Sequence, residues 1–138
     1  DSEMSPAWSP DGRSLAFLRP EPGQSRAALI LSTPQGGPER RLTTLRLPLP
    51  GSIWSNHLLA WSPDSRWLVA CAVGTPGERP SLYALSVASG AKHRLTEPPA
   101  GFEADCEPSI RPDGRALVFN RTRTLNLSEL FLLPLNEG

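Results

Sequence analysis

Short apolar runs recur along the chain, and each follows the same kind of polar turn. The runs cover residues 14–18, 67–71 and 116–119. The turns read Trp-Ser-Pro-Asp-Gly-Arg at 8–13, Trp-Ser-Pro-Asp-Ser-Arg at 61–66 and Ile-Arg-Pro-Asp-Gly-Arg at 110–115, at offsets of 53 and 49 residues. Pro presets φ, Asp bonds nearby backbone, and Gly accepts a positive φ. The pattern therefore predicts a strand–turn–strand unit that occurs three times.

A second, leucine-rich block follows each run, and its copies contain Leu29, Leu82 and Leu130. A glycine stands eight residues after each of these leucines, namely Gly37, Gly90 and Gly138. Arg-Leu-Thr then closes the first two copies at 41–43 and 94–96, and the third copy reaches only Gly138. Each repeat thus reads as four short strands. Four strands in about 50 residues is the spacing of a β-propeller blade.

These motifs give the chain a family resemblance. Trp-Ser-Pro-Asp-Gly-Arg-x-Leu-Ala-Phe, a glycine turn and Arg-Leu-Thr resemble the WD40-like (PD40) repeat of TolB-type propellers. The resemblance implies an all-β fold of three four-stranded antiparallel blades at 1–49, 50–98 and 99–138, the third without its outermost strand, within a larger or oligomeric propeller. Two further segments, Gly-Gly-Pro-Glu-Arg-Arg-Leu-Thr at 36–43 and Asp-x-Glu-Pro at 105–108, resemble propellers of bacterial signalling proteins. These proteins include CadC-like winged-helix regulators and some serine/threonine kinases.

The amino-acid composition agrees with an all-β fold and argues against nucleic-acid-binding and membrane-spanning functions. The 138 residues include 16 Pro and 11 Gly, a density that long helices tolerate poorly. The formal net charge is zero, whereas a dedicated nucleic-acid binder carries a basic excess. No apolar run approaches the roughly 18–20 residues of a membrane span. The N-terminal DSEMSPAW has no signal-peptide character, and we expect the chain to be part of a longer protein.

Residues that could carry catalysis or bind a metal are few. Gly-x-Ser-x-Gly does not occur, and the two histidines, His57 and His93, are not at ligand spacing. Cys71 and Cys106 lie 35 residues apart and match no metal-binding pattern. They could form one disulfide, but the sequence favours two independent thiols. We therefore expect no catalysis, no metal and no cofactor in this chain.

Aligned polar residues form a first candidate binding site. Glu3, Asn56 and Asp105 each stand five residues before the Trp8, Trp61 or Ile110 position, and Glu107 follows two residues after Asp105. In a propeller the innermost strands begin near one mouth of the central channel. Their side chains could converge there on a ligand, a cation or a peptide. The alternative is a polar, hydrated channel that binds nothing in particular.

A hydrophobic insert forms a second candidate. Between the first two repeats, residues 44–57 contain Leu47, Leu49, Ile53 and Trp54. Apolar side chains in an exposed loop would favour an interaction surface. The alternative is that they tuck against the first strand of the second blade.

The repeated Asp and Trp residues have structural interpretations. Asp11, Asp64 and Asp113 occupy turns, where a short carboxylate accepts backbone N–H groups. Trp8 and Trp61 end the innermost strands, and we expect both to be buried against a neighbouring blade.

Two functional hypotheses follow. The first is a non-catalytic propeller segment that binds protein or a ligand, as the sensory or scaffolding part of a larger bacterial regulatory protein. The second is the gating propeller of a prolyl-oligopeptidase-like serine peptidase, or a TolB-type periplasmic interaction protein. We expect the partners to be a protein, the remaining blades of a parent propeller or a second copy of the chain, with no direct nucleic-acid contact and no membrane span.

Overall fold

Eleven β-strands make up the regular structure of the described residues, which are 3–48, 57–124 and 127–135 of a computed structural model. In chain order they are β1 (Met4–Trp8), β2 (Leu15–Pro20), β3 (Arg26–Ser32), β4 (Arg40–Arg46), β5 (Leu59–Trp61), β6 (Trp67–Ala72), β7 (Ser81–Ser86), β8 (Lys92–Arg94), β9 (Ala104–Ile110), β10 (Ala116–Thr124) and β11 (Leu127–Pro134). These ranges hold no helix, so none that could cross a membrane.

The strands form three antiparallel sheets in sequential order, which we call blade 1 (β1–β4), blade 2 (β5–β8) and blade 3 (β9–β11). The predicted all-β blades are confirmed, including a third blade that has three strands in its described part. The three sheets do not close into a ring.

Alternation of side chains along the strands explains how the blades stack. In β2, Ala16 and Leu18 are fully buried in the core shared with blade 2, whereas Phe17 belongs to a separate cluster on the other face. In β6, every residue from 68 to 72 is buried. Blade 2 lies between the other two blades, and a strand with neighbours on both faces reads as a continuous apolar run.

The innermost strands β1, β5 and β9 contact one another in that order. Trp61 is only 8% exposed, and its indole N–H donates to the carbonyl oxygen of Ala7 in blade 1 at 2.8 Å. Its predicted burial is confirmed. The same prediction is wrong for Trp8, which is 58% exposed. Within the described ranges, no blade precedes blade 1 to cover it.

The outer parts of blades 1 and 2 meet through backbone groups. Arg40 on β4 donates to the carbonyl oxygens of Val87 and Ala88, which follow β7. Gly90 in the next turn has φ of 77°, and a Cβ there would lie 2.5 Å from the carbonyl oxygen of Leu42. This approach of two backbones requires glycine.

Cys71 and Cys106 form a disulfide between β6 of blade 2 and β9 of blade 3, with Cα atoms 5.1 Å apart. The sequence favoured two independent thiols, and that interpretation is wrong. The pairing depends on how β9 packs against the preceding blade. A separation of 35 residues along the chain carries no information about that contact.

Each Pro-Asp turn is closed by its aspartate, as predicted. In blade 1, Asp11 Oδ1 accepts the Ser9 hydroxyl at 2.6 Å and the Arg13 backbone N–H at 2.9 Å. Ser62 and Asp64 repeat the hydroxyl bond at 2.6 Å in blade 2. These bonds, with the serine hydroxyl as the main cause, hold the pKa of Asp11 and Asp64 below the usual range.

Blade 3 keeps the turn with different chemistry. Arg111 stands where the other blades have serine, and its guanidinium binds both oxygens of Asp113, with Nε–O distances of 2.8 and 2.9 Å. The backbone N–H of Arg115 still donates to Asp113 at 2.9 Å. Arg111 is the main reason why the pKa of Asp113 falls to about 2. The turn therefore tolerates replacement of the serine because the carboxylate keeps a donor.

We predict that Ser65→Gly stabilises the chain. Ser65 has φ of 60° at the turn position where Gly12 has φ of 73°. A left-handed conformation costs a non-glycine residue about 1 kcal/mol. The Ser65 hydroxyl accepts only one long, exposed bond, 3.3 Å from the Asp11 nitrogen. Urea unfolding should show a net gain of about 0.5 kcal/mol, because the greater freedom of glycine in the unfolded chain offsets part of the relieved strain.

Gly12→Ala is the matched control, because a Cβ at Gly12 would meet nothing within 4 Å. Only the positive φ then opposes the change, and the free energy of unfolding should fall by about 1 kcal/mol. Shifts of the same sign in the two variants would show that backbone conformation does not control this turn.

Reduction of the disulfide should detach blade 3 before it unfolds the other blades. A cross-link that closes a loop of this size contributes about 4 kcal/mol in the chain-entropy model. We expect dithiothreitol to lower the Tm of the native chain, and to leave the Tm of the double variant Cys71→Ala/Cys106→Ala unchanged. Equal Tm values for oxidised and reduced native chain would contradict a structural role for the bond.

Candidate functional site

The first residues of β1 and β9 mark the predicted channel mouth. Because the blades repeat one topology and their innermost strands lie side by side, the strand starts lie at the same end of the stack. Glu3 directly precedes β1 and Asp105 is the second residue of β9, whereas Glu107 lies at the middle of β9. Asn56, the predicted member from blade 2, lies outside the described residues.

Glu3 belongs to a surface ion network. Its carboxylate accepts Arg19 Nη2 at 2.7 Å, and Arg19 also binds Glu39 with an Nη1–Oε2 distance of 2.8 Å. Glu39, and after it Glu3, raises the pKa of Arg19. The Glu3 side chain remains 51% exposed, so it can meet a ligand without losing its fold contacts.

Asp105 is held more firmly and is fully buried. It lies opposite Arg121 in the β9–β10 ladder, and the two side chains form a bidentate pair with distances of 2.7 and 2.9 Å. Both carboxylate oxygens are therefore occupied, and the pair raises the pKa of Arg121. This geometry gives Asp105 a structural partner that the sequence analysis missed. An arginine at the facing strand position was the available signal.

Aromatic rings surround the same guanidinium. The Arg121 carbon Cζ lies 4.8 Å from the ring centre of Phe131, 5.3 Å from that of Phe119 and 5.7 Å from that of Phe102. Ring faces attract a cation, most strongly where water is excluded. The Asp105–Arg121 pair is thus an anchor within blade 3, between its inner strands and its hydrophobic side.

Glu107 sits on a distorted part of β9. It has φ of 55° and precedes Pro108, and its carboxylate accepts the side-chain amide of Asn120. Ser5 occupies the equivalent place in β1, with φ of 53° and a following Pro6. The pairing register shifts at both points, which defines a β-bulge in each strand.

The two bulges matter because they lie on innermost strands. A left-handed non-glycine residue costs about 1–3 kcal/mol, and such residues cluster at functional sites. A bulge also redirects the side chain that it carries. A residue followed by proline recurs at this position, as Ser5-Pro6 and Glu107-Pro108, and was the available sequence signal.

The carboxylates of Glu3, Asp105 and Glu107 share no hydrogen-bond partner. Among the described residues, no group of three or more His, Cys, Asp or Glu side chains is placed to hold a metal ion. Ligand binding at this end of the strands stays a prediction. Glu3 is exposed and Glu107 lies on a bulge, so both could contact a ligand, whereas Asp105 is already paired with Arg121.

The predicted interaction loop is described only in part. Leu47 is 8% exposed and belongs to the core that also contains Leu58 and Leu59, while its backbone N–H donates to Ser25 at 2.9 Å. Leu47 thus packs inward, next to the start of blade 2. The other predicted members lie outside the described residues: Leu49, Ile53 and Trp54.

Four large hydrophobic side chains are exposed among the described residues, and of these the sequence predicted burial only for Trp8. Trp8 lies on blade 1, and the others lie on β11, with exposures of 53% for Leu127, 74% for Leu130 and 61% for Leu132. Leu82, which aligns with Leu130, is fully buried. Both end blades therefore present apolar flanks.

We predict that Asp105→Asn lowers the free energy of unfolding by about 2 kcal/mol, because it leaves the Arg121 cation without a counter-ion. This loss of stability is smaller than that expected for a fully buried ion pair, because the Arg121 side chain is 15% exposed. Glu3→Gln, which removes a carboxylate from the same end of the stack, should change stability little. Urea unfolding compares the two. Unchanged stability of Asp105→Asn would contradict the structural role.

No family model matches the chain. A protein of Bacillus subtilis described as the uncharacterised peptidase YuxL is 29% identical over 153 residues, which cover 86% of this chain and 22% of that protein. An uncharacterised protein of Agrobacterium fabrum is 35% identical over 117 residues, which cover 84% of this chain and 35% of that protein. The chain thus spans about a third or less of these relatives.

Solved structures resemble the chain over nearly its whole length. An oligogalacturonate lyase in complex with manganese matches with a TM-score of 0.68 and 19% identity, over 99% of this chain and 36% of that one. A prolyl endopeptidase matches with a TM-score of 0.70 and 16% identity, over 99% of this chain and 21% of that one. A putative TolB from Agrobacterium tumefaciens matches with a TM-score of 0.58 and 20% identity, over 97% of this chain and 58% of that one. At these identities the likeness concerns the fold, and the chain has the fold of β-propeller blades.

Proposed function

We propose that this chain is a non-catalytic β-propeller segment that binds a protein or small ligand, as the sensory or scaffolding part of a larger bacterial signalling or transcriptional regulatory protein. The observation that supports it is that two innermost strands carry carboxylates suited to a ligand, a half-exposed Glu3 just before β1 and Glu107 on the strained bulge of β9. Fold alone does not fix activity, so the proposal depends on this site.

The charge at the mouth suggests the class of ligand. Arg121 neutralises Asp105, whereas the single cation Arg19 is shared by Glu3 and Glu39, and Glu107 adds a further carboxylate. Channel walls of low dielectric strengthen the field of such groups. The ligand we propose is cationic, and a basic peptide segment of a partner protein fits this chemistry.

A tetra-arginine peptide is a direct probe. We expect saturable binding that weakens with salt, and affinity about fivefold lower in the double variant Glu3→Gln/Glu107→Gln, which removes two surface-type interactions. Glu97→Gln is the control, because Glu97 is exposed and lies in the segment after β8. Equal affinity in all three proteins would contradict binding at the mouth.

A second candidate function is the gating propeller of a prolyl-oligopeptidase-like serine peptidase. In this case too the chain would be one part of a larger protein. The likeness to the uncharacterised peptidase YuxL and to a prolyl endopeptidase favours it. The TolB match similarly favours a periplasmic interaction protein.

The complete reading frame separates these functions. A Gly-x-Ser-x-Gly segment after Gly138, with labelling of the full protein by a fluorophosphonate probe, would support the peptidase. A winged-helix or kinase segment before Asp1, and no labelling, would support the regulator.

A further inference from the structure

The three Pro-Asp turns share one backbone structure. They cover residues 9–14, 62–67 and 111–116. In each turn the first residue donates its N–H to the carbonyl of the sixth and accepts the N–H of the fourth, with distances between 2.8 and 3.0 Å. The fifth residue is always an arginine, whose backbone N–H donates to the turn aspartate at 2.9, 3.0 and 2.9 Å in chain order. Matching backbones direct these side chains alike from each blade, and we call Arg13, Arg66 and Arg115 the arginine row.

The turns lie side by side at one end of the stack. The Asp11 backbone N–H donates to the Ser65 hydroxyl at 3.3 Å, which joins the turns of blades 1 and 2. A Cβ on Gly114 would lie 3.7 Å from Pro63, so the turns of blades 2 and 3 are also in contact. Stacked sheets lie about 10 Å apart, and neighbouring members of the arginine row therefore recur at about that interval. Glu3 lies at the other end of the stack, because β1 runs from it to the first turn.

The fold does not use the head groups of the arginine row. All three residues are exposed, and in the described part of the chain their guanidinium groups form no hydrogen bond and no ion pair. The carboxylates of the turns, in contrast, are engaged locally. Asp11 accepts the Ser9 hydroxyl, and Asp113 is bound by Arg111. The arginine row is therefore the part of these turns that can pair with an external anion.

Basic side chains outnumber acidic ones around the arginine row. Arg40 and Lys92 begin β4 and β8 at this end, and Arg111 adds a cation beside Asp113. Glu39, which precedes β4, has its carboxylate on Arg19. A surface with an excess of one sign of charge raises the local concentration of partners of the opposite sign. This end of the stack thus favours an anionic partner.

We propose that the arginine row binds an acidic segment of a partner protein in the polyproline II conformation, with Glu or Asp at every third residue. This helix has three residues per turn and rises about 3.1 Å per residue, so such carboxylates line one face about 9 Å apart. That interval matches the spacing of the row. Side chains on one face of a β-strand recur at about 7 Å and do not match it. The polyproline II backbone also needs no ladder of hydrogen bonds, and a row of closed turns offers none.

The aspartates of the turns favour a peptide over a nucleic acid. Each turn carries one carboxylate close to its arginine, and the low pKa of Asp11, Asp64 and Asp113 keeps all three charged at neutral pH. The phosphates of a nucleic-acid strand are spaced more closely than the row, at about 3.4 Å along the axis of a duplex strand. Some of them would therefore face the carboxylates. A peptide with an anion at every third residue places its charges at the arginines alone.

Two peptides of equal length, composition and charge test the spacing. The first is three copies of Glu-Pro-Pro, and the second is Glu-Pro-Glu-Pro-Glu-Pro-Pro-Pro-Pro, whose carboxylates point to different faces of the same helix. We expect the full chain to bind the first about fivefold more tightly, with an affinity that falls as salt is added. Equal affinity for the two peptides would overturn the proposed spacing.

Substitution of the arginine row tests the surface itself. The triple variant Arg13→Gln/Arg66→Gln/Arg115→Gln should bind the first peptide about tenfold more weakly, since each lost surface pair costs about twofold. Arg66→Gln alone, at the centre of the row, should cost about twofold to threefold. Arg26→Gln is the matched control, because Arg26 is an exposed arginine that begins β3 at the opposite end. Unchanged affinity in the triple variant would overturn the proposal.

Two further measurements identify the partner and separate this surface from the channel end. The triple variant should keep the native Tm, and it should bind the tetra-arginine peptide as the native chain does. Oligothymidylate should bind the native chain more weakly than the first peptide. Tighter binding of oligothymidylate would show a nucleic-acid surface and would overturn a protein partner.

Discussion

The packing of one sheet face against the next is the interaction on which the rest of this structure depends. Leu68, Val69, Ala70 and Cys71 are fully buried because blade 2 has a blade on each side. Leu82 and Leu130 occupy the same repeat position, yet the first is fully buried and the second 74% exposed. Burial of a leucine contributes about 2 kcal/mol, so stability in this repeat depends on neighbours more than on any blade by itself.

Packing of flat apolar faces does not by itself fix the relative position of two blades. Directional contacts between named groups fix that position. Trp61 reaches the backbone of blade 1, and the disulfide of Cys71 and Cys106 joins blades 2 and 3. The seam between blades 1 and 2 also needs glycine at position 90. One seam thus uses an indole and a close backbone approach, and the other uses a covalent bond. Ile110 stands where a third Trp would donate, and the seam between blades 2 and 3 has a backbone bond from Asp105 N–H to the carbonyl oxygen of Pro80 at 3.0 Å beside the disulfide.

The strands and turns could be predicted from the sequence because their causes are local. A Pro-Asp turn needs only its own residues, as the bonds of Asp11 and Asp64 show. The disulfide, the exposure of Trp8 and the Asp105–Arg121 pair could not be derived in the same way. Each depends on which residue faces which across a seam or a ladder, or on whether a neighbour is present. At the channel mouth, alignment placed the acidic residues at one end but could not show which of them was already paired.

Backbone strain and exposed apolar side chains lie on different parts of this chain. The flanks of blades 1 and 3 expose apolar side chains, which are Trp8 on blade 1 and leucines on β11. The innermost strands instead hold Ser5 and Glu107 in left-handed conformations that more sheet would not relieve. Strain that persists in a strand is maintained by the surrounding packing and changes where a side chain points. The two kinds of surface therefore differ in origin: the end blades expose side chains that a neighbouring sheet buries in blade 2, whereas the bulges of β1 and β9 reorient Ser5 and Glu107 within paired strands.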